Sequence, residues 1–331
     1  MSAPLLSLEN VSVHFETPMG RLRAVDGVDL ELGHGRTVGI VGESGCGKSV
    51  LSRTIMGLWP SNARIGRDSR IVLDGRNLLE MRERDLRRIR GPEVAMIFQD
   101  PMSSLNPVMT VGRQISEGPI RHLGMSKSAA RNLAVDLLQA VGIPQPEERV
   151  HAYPHQLSGG MRQRVAIAMA LACQPKLLIA DEPTTALDVT VQAEILDLLA
   201  RQSRERQMAM ILITHDLGVV AGRTDDVAVM YAGRVVERAA TSELFADMRM
   251  PYTEALLRSI PRLEDPPHKR LETVGGRPPN LIAPPPGCRF APRCPYADEV
   301  CRQSEPRLER VSNDPNHMFA CFKPLKQEAP A

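Results

Sequence analysis

Aromatic side chains are scarce in this chain, at 3% of its 331 residues. Proteins that bind single-stranded nucleic acid usually stack the bases on aromatic rings, so this composition argues against a stacking platform. The formal net charge is only +2, which gives no general attraction for nucleic acid or for an acidic surface. We therefore expect no nucleic-acid partner.

Long apolar runs are also missing, because none approaches the roughly 20 residues that a membrane-spanning helix needs. Residues 1–6 lack a basic stretch followed by an apolar one, so we expect no signal peptide. The chain is long enough for one large domain or two, and its 43% hydrophobic content is ordinary for a globular protein. Any membrane role is therefore expected to come through a partner.

The clearest motif is Gly42-x4-Gly47-Lys48-Ser49, which follows the apolar stretch 37–41 and matches the phosphate-binding loop. Glycines let successive backbone N–H groups point at phosphate oxygens, and the helix that follows adds its positive N-terminus. Lys48 is expected to reach the β- and γ-phosphates, and the Ser49 hydroxyl to bind Mg²⁺. The expected nucleotide contacts here are Gly42, Glu43, Ser44, Gly45, Cys46, Gly47, Lys48, Ser49 and Val50.

Three more short apolar strands end in polar residues, where an α/β sheet binds its ligands. Gln99 follows 94–98, Asp181 and Glu182 end the strand that begins at 176, and His215 follows 209–213. Asp181 suits a Mg²⁺ shell, and Glu182 is placed to polarise an attacking water. Alone, each has an ordinary structural reading: two acids that cap a strand, or a structural histidine.

A second anion site is expected at Ser158, Gly159 and Gly160, which open an apolar helix. Ser158 is a good N-cap, and the glycines expose backbone N–H groups at the helix start. A chain with one phosphate loop does not need another for the same phosphate. This second site therefore indicates binding to a nucleotide held by another subunit.

Four of the six cysteines lie close to the C-terminus, as Cys288-x5-Cys294-x6-Cys301-x19-Cys321. They begin near the end of a proline-dense stretch at 261–295, which is typical of an extended linker. Without an export signal, disulfides are disfavoured and a metal or cluster site is favoured. Zinc motifs usually space cysteines two to four residues apart, so these gaps favour iron–sulfur over zinc. Free cysteines in a small apolar knot, or His317 as an alternative ligand, remain open.

Together these motifs resemble the ATP-binding-cassette (ABC) ATPases over about residues 5–245, in order and in spacing. The resemblance implies an α/β fold with a phosphate-loop NTPase core sheet, an antiparallel β edge and a helical subdomain at about 100–172. It implies domains at 1–255 and 256–331, the latter a linker and a small Cys-rich extension. It also implies a head-to-tail dimer in which each ATP lies between two cassettes.

The resemblance assigns roles residue by residue. The catalytic set is Glu182, His215, Gln99 and Lys48, with Phe15 as a face for the adenine ring. Mg²⁺ is expected at Ser49, Gln99 and Asp181, the last directly or through water. Groups that act on the partner's ATP are Ser158, Gly159, Gly160, Gln163 and Asp188. Cys46 is read as a tolerated small side chain rather than a redox switch.

Segments 98–107, 250–261 and 285–294 further resemble the ATPases of dipeptide, oligopeptide and nickel importers. Such importers usually carry two ATPase subunits, and this chain resembles the first of them more closely. This implies a second ATPase subunit in a heterodimer, two permeases, an extracytoplasmic solute-binding protein and a place at the cytoplasmic face of the cell membrane. Many such cassettes carry a [4Fe–4S] cluster at cysteines like Cys288, Cys294, Cys301 and Cys321, with zinc as the alternative. Nickel, glutathione or another small solute remains an alternative cargo.

Two rival functions stay open at this point. A soluble ABC ATPase of DNA repair or translation would usually carry a long coiled-coil or zinc insertion, or two cassettes, and this chain shows neither heptads nor a strongly basic patch. A redox sensor dominated by the tail would require nucleotide turnover to follow the state of the cluster.

Overall fold

The computed structural model describes residues 3–100, 104–185, 187–260, 274–311 and 314–325. The strands are β1 Leu6–Thr17, β2 Gly20–Leu32, β3 Thr37–Val41, β4 Ala63–Ile65, β5 Arg70–Leu73, β6 Arg76–Asn77, β7 Val94–Ile97, β8 Leu177–Asp181, β9 Ala209–Thr214, β10 Asp226–Tyr231, β11 Arg234–Ala240, β12 Glu309–Val311 and β13 Asp314–Phe319. The helices are α1 Lys48–Ile55, α2 Glu83–Ile89, α3 Val111–Leu123, α4 Lys127–Ala140, α5 Pro146–Arg149, α6 Gly159–Leu171, α7 Val189–Glu205, α8 Leu217–Val220, α9 Thr241–Ala246, α10 Pro251–Arg258 and α11 Glu299–Gln303.

The chain forms two compact units. The first contains Gly33–Arg36 and Leu78–Ile213, and the second contains Pro4–Leu32, Thr37–Asn77 and the chain from Thr214 onward.

Parallel strands form the centre of the first unit. Strand β8 pairs with β7 on one side, Val94 opposite Leu177, and with β9 on the other, Leu177 opposite Ala209. All three strands are buried along their length, as expected for parallel strands covered on both faces. Their continuous apolar sequence therefore fits the mostly parallel core that the motifs predict.

Within the helical subdomain predicted at about 100–172, the described residues include α3, α4 and α5, and α3 and α4 both pack against α6. Gly124 ends α3 in the left-handed conformation, at φ 67°. Two residues later, the Ser126 hydroxyl accepts from the Ala129 N–H at 3.2 Å and caps α4. These caps let the chain reverse between two helices.

The second unit contains two sets of paired strands. One set is antiparallel, in the order β2-β1-β5-β6 with β4 also on β1, and it corresponds to the predicted antiparallel edge. In the other, β3 pairs in parallel with β10, which forms a hairpin with β11. Strand β13 then pairs with β11, Glu237 opposite Phe319, and with β12.

We call residues 274–311 and 314–325 the C-terminal extension. Its last strand joins the pairing of the second unit, and Arg289 and Phe290 are buried. Of the proline-rich stretch predicted as a linker, residues 261–273 lie outside the described residues. Among the described helices, none is long and apolar enough to span a bilayer.

Candidate active site

The phosphate-binding loop of the second unit lies between the buried strand β3 and helix α1. Gly47 is the N-cap of α1 and adopts φ 107°, a conformation that an L side chain rarely adopts. The first turn of α1 contains no acidic residue. The helix start therefore presents backbone N–H groups and the positive end of the helix dipole, with no carboxylate in its own first turn.

Two glycines of the loop are required because the backbone of neighbouring strands approaches closely. A Cβ on Gly42 would lie 2.1 Å from the carbonyl oxygen of Met230, and one on Gly47 would lie 2.2 Å from that of Ala24. Backbone atoms cannot move aside as a flexible side chain does. The spacing that marks the motif in the sequence thus has a packing cause in the fold.

Lys48 is only 4% exposed, yet its charge has partners. Its Nζ donates to the carbonyl oxygens of Gly42 at 2.7 Å and Glu43 at 3.1 Å. A buried ammonium needs such acceptors. Because both belong to the loop, Lys48 is held across the cradle where phosphates are expected.

Cys46 is buried within the loop, and its Sγ lies 4.0 Å from Lys48 Nζ. Burial raises the pKa of this thiol, because the charged thiolate is disfavoured away from water. A buried neutral thiol is a poor redox switch, which favours the interpretation of Cys46 as a small side chain.

Two residues far along the chain hold the loop at Glu43. Its backbone N–H donates to the hydroxyl of Tyr252 at 2.9 Å, and its carboxylate receives two hydrogen bonds from Arg293, at 2.6 and 2.8 Å. Neither contact was predicted from the sequence. Arg293 is one residue before a cysteine already singled out, but nothing in the local pattern indicated its partner.

In the first unit, the two predicted acids, Asp181 and Glu182, lie at the end of β8. Asp181 ends the strand and is 1% exposed, opposite Ile213 of β9. Glu182 follows at φ 46°, in the left-handed region, while its N–H donates to the Ile213 carbonyl at 3.0 Å. Six other described non-glycine residues also have positive φ, so this conformation marks the sharp turn after β8 and does not by itself indicate a function.

Two side chains donate hydrogen bonds to the Glu182 carboxylate, one from a distant segment and one from three residues further along the chain. Gln99, just beyond β7, donates through Nε2 to Glu182 Oε2 at 3.0 Å, and the Thr185 hydroxyl donates to the same oxygen at 3.2 Å. The structure thus brings together two of the predicted catalytic residues, Gln99 and Glu182. Thr185 was not predicted to contribute, although it lies within the Thr-rich segment after the acids.

The start of α6 in the first unit has the predicted cap, because the Ser158 hydroxyl accepts from the Met161 N–H at 3.3 Å. Gly159 is exposed, and a Cβ on Gly160 would lie 2.9 Å from a methyl group of Val191. Gln163 is 1% exposed, and neither of its amide atoms has a hydrogen-bond partner among the described residues. Asp188 caps α7 by accepting from the Val191 N–H at 3.0 Å.

The remaining predicted site residues lie in the second unit. His215 follows β9 and is exposed. Phe15 is half-buried in β1, between Leu22 of β2 and Ala63 of β4. Ser49 is half-buried in the first turn of α1, next to Val50. Their roles toward a nucleotide stay predictions.

The four cysteines of the C-terminal extension line one small cavity, together with Met250, Phe290 and other apolar residues. Burial raises the pKa of Cys288 and Cys294, and raises that of Cys321 to about 11. Within the described part of the chain, however, no three His, Cys, Asp or Glu side chains form a group that could hold a metal ion. The geometry does not support the predicted four-cysteine ligand set.

His317, the alternative ligand, points elsewhere. Its Nε2 lies 2.9 Å from Glu237 Oε1, and both side chains are buried. Glu237 also accepts from the backbone N–H groups of Arg249 at 2.5 Å and Met250 at 3.2 Å. His317 therefore pairs with a structural carboxylate rather than with the cysteines.

Comparison with known proteins decides the family. Residues 25–185 match the family described as "ABC transporter", and residues 236–301 match "Oligopeptide/dipeptide transporter, C-terminal region". The dipeptide transport ATP-binding protein DppD of Bacillus subtilis is 52% identical over 96% of this chain and 94% of its own length. This chain belongs to the ATP-binding proteins of the dipeptide and oligopeptide ABC transporters. The family predicted from the motifs is confirmed, and the chain is an ATP-hydrolysing ABC subunit.

Two further comparisons agree with this family. The oligopeptide transport ATP-binding protein OppD of Salmonella typhimurium is 50% identical over 98% of this chain and 95% of its own. A dimeric ATP-binding cassette in a post-hydrolysis state, bound to ADP and Pi, superposes with a TM-score of 0.64. This cassette is 28% identical to the chain, and the matched region covers 71% of this chain and 98% of the cassette's chain. The ABC ATPase cassette fold is thereby confirmed.

Proposed function

We propose that this chain energises the import of dipeptides and oligopeptides, as the ATP-hydrolysing subunit of an ABC importer. The observation that carries the proposal is the match over residues 236–301 to the C-terminal region of oligopeptide/dipeptide transporters. The near full-length identity to DppD and OppD supports the same cargo class.

In this proposal, each predicted residue has its own role in ATP binding and hydrolysis. The phosphate loop binds the triphosphate through backbone N–H groups, with Lys48 on the β- and γ-phosphates, His215 on the γ-phosphate and Phe15 against adenine. Glu182 polarises the attacking water, and Gln99, its hydrogen-bond donor, senses the nucleotide. Ser158–Gly160, with Gln163 and Asp188, act on the ATP of the partner cassette.

The side chains predicted to bind magnesium have suitable donor atoms. Ser49, Gln99 and Asp181 offer a hydroxyl, an amide and a carboxylate, the hard oxygen donors that Mg²⁺ prefers. When bound, the ion neutralises charge on the phosphates. Lys48 would orient the phosphates, and Glu182 the attacking water.

An ABC importer of this kind needs further subunits beside this chain. A second ATPase subunit completes the head-to-tail pair, and two permeases provide the membrane path and hold the ATPases at the cytoplasmic face. An extracytoplasmic binding protein delivers the peptide.

We further propose that the cysteines of the extension bind a [4Fe–4S] cluster, with a structural role. Support comes from the softness of thiolate donors and from the shared cavity that the four thiols line, and not from their arrangement, since no three of the described side chains form a group that could hold a metal ion. Binding would require the thiols to converge and lose their protons. Anaerobic purification should yield about four iron atoms and as much labile sulfide per chain. Stoichiometric zinc, or no metal at all, would contradict the cluster.

The importer is tested by co-purification with the tagged Glu182→Gln variant. This variant should bind ATP without turnover and so trap the closed pair. From gently solubilised membranes with ATP present, we expect two permeases and a second ATPase. Recovery of only ribosomal or DNA-repair proteins would overturn the proposal and favour a soluble ATPase. Permeases whose binding protein selects nickel or glutathione would correct the cargo alone.

A further inference from the structure

Arg293 of the C-terminal extension is buried, and every one of its side-chain donors is used. The side chain is 2% exposed. Nη1 donates to Glu43 Oε2 at 2.6 Å and to the Tyr231 hydroxyl at 3.2 Å. Nη2 donates to Glu43 Oε1 at 2.8 Å and to the Val274 carbonyl at 2.9 Å, and Nε to the Gly275 carbonyl at 2.6 Å. All five N–H groups of the guanidinium therefore have acceptors.

Three aromatic rings support this contact. Tyr231, Tyr252 and Phe290 pack on one another with centroids 4.5 to 5.3 Å apart. The Arg293 guanidinium lies over the rings of Tyr231 and Phe290, at 5.8 and 5.9 Å. We call these three rings the aromatic cluster. Each ring buries apolar surface, and the rings of Tyr231 and Phe290 also form cation–π contacts with Arg293.

Glu43 is consequently held at two points. Its backbone N–H donates to Tyr252 of the aromatic cluster, and its carboxylate forms a bidentate pair with Arg293. A bidentate pair fixes direction as well as distance. Since Lys48 also donates to the Glu43 carbonyl, the loop residue is held from its backbone and from its side chain.

The charge on Glu43 is in an unfavourable place for the reaction. It belongs to the loop that receives the negatively charged triphosphate, between Gly42 and Ser44. Its side chain is only 25% exposed, so solvent screens the charge less than at the surface. An uncompensated carboxylate here would repel the nucleotide, and the Arg293 guanidinium cancels it.

We propose that Arg293 is a positioning residue for ATP binding: it orients Glu43 and neutralises its carboxylate, and through it the C-terminal extension sets the affinity of the phosphate loop. The proposal rests on the proposed assignment of this loop to ATP. It gives the extension a part in nucleotide binding that does not depend on any metal.

The test compares Arg293→Gln, Arg293→Gln/Glu43→Gln and, as control, Arg302→Gln in the full-length chain. Arg302 is an exposed arginine of the same extension, 3.8 Å from Glu299. Arg293→Gln should raise the Kd for ATP about tenfold and leave kcat at saturating ATP within about twofold. The control should match the wild type.

The double variant separates charge compensation from mere support. Removing the Glu43 charge as well should restore most of the lost affinity, because no unpaired carboxylate then faces the nucleotide. A purely structural Arg293 predicts that the double variant binds ATP no better than Arg293→Gln, and that result would overturn the proposal.

Three other outcomes also test the proposed role of Arg293. If Arg293→Gln does not fold, Arg293→Lys keeps the charge but not the bidentate geometry, and its Kd should rise about threefold. An unchanged Kd in the folded Gln or Lys variant overturns the inference while leaving the ATPase intact. A wild-type chain that binds no ATP overturns the proposed function, and this inference with it.

Discussion

Gln99 Nε2 donates a hydrogen bond to Glu182 Oε2 across 3.0 Å, which orients the carboxylate assigned to the attacking water. The backbone of Glu182 is itself held in the left-handed region, at φ 46°. The Thr185 hydroxyl donates to the same oxygen at 3.2 Å, so two hydrogen bonds hold this carboxylate. Such preorganisation is what a general base needs before its substrate arrives.

Replacing Glu182 by Gln should lower kcat for ATP hydrolysis by about 10²–10⁴, because the amide cannot accept the proton of water. The Kd for ATP should stay within a few fold. Glu194→Gln is the control, since Glu194 is an exposed carboxylate paired with Arg164 at 2.6 Å. Single-turnover hydrolysis measures the effect, and turnover equal to wild type would remove Glu182 from its role.

Replacing Gly42 by Ala should destabilise the protein by about 1–3 kcal/mol and abolish ATP binding, because the new Cβ meets the Met230 carbonyl. Gly45→Ala is the matched control in the same loop. A Cβ there meets nothing within 4 Å, although φ is +81°. It should cost only about 1 kcal/mol. Equal effects on the denaturant midpoint would show that the close approach at Gly42 is unimportant.

Stability should depend on pH through Asp26, which pairs with the guanidinium groups of Arg289 and Arg234. Burial alone would raise the pKa of Asp26, but the hydrogen bond from Arg289 and the charges of both arginines together lower it. A carboxyl whose pKa is lowered by folding stabilises the protein above its ordinary pKa of about 3.9, and this contribution is lost as the pH falls further.

Asp26→Asn should therefore cost on the order of 2 kcal/mol at pH 7. The difference from wild type should shrink as the pH falls below about 4, because the carboxyl of the unfolded chain then takes up a proton while the paired carboxyl of the folded chain, with its lower pKa, still resists it. Urea unfolding at a series of pH values measures this. A difference that is the same at pH 7 and pH 3 would show that lost packing, rather than charge, explains the effect.

Glu237→Ala should lower the free energy of unfolding by about 3 kcal/mol, because it leaves two backbone N–H groups and His317 without their buried acceptor. The control is Glu309→Ala, at an exposed position of β12, and it should change stability by less than about 0.5 kcal/mol. Equal denaturant midpoints for the two variants would contradict the structural role of Glu237.

Much of the site was predictable because its determinants are local. The phosphate loop, Gln99 and the acids at 181 and 182 each follow a short apolar strand, and strand ends are where the fold positions polar groups. Strand β8, for example, is buried from Leu177 to Asp181, as its apolar sequence predicts.

What escaped prediction depends on contacts distant in sequence. Arg293 lies 250 residues from Glu43 and Arg289 lies 263 from Asp26, so no periodicity connects them. The cysteine spacing predicted a ligand set, but the four thiols line one cavity without any three described side chains converging on a point where a metal ion could bind. Spacing along a chain does not determine such directions.

The most direct test of peptide import is ATP hydrolysis by the complete transporter in lipid vesicles, with its permeases, second ATPase and binding protein. We predict that hydrolysis rises when the binding protein carries a dipeptide or oligopeptide, that labelled peptide accumulates, and that Glu182→Gln abolishes both. Hydrolysis and accumulation that respond to nickel or glutathione but not to any peptide would contradict the assignment.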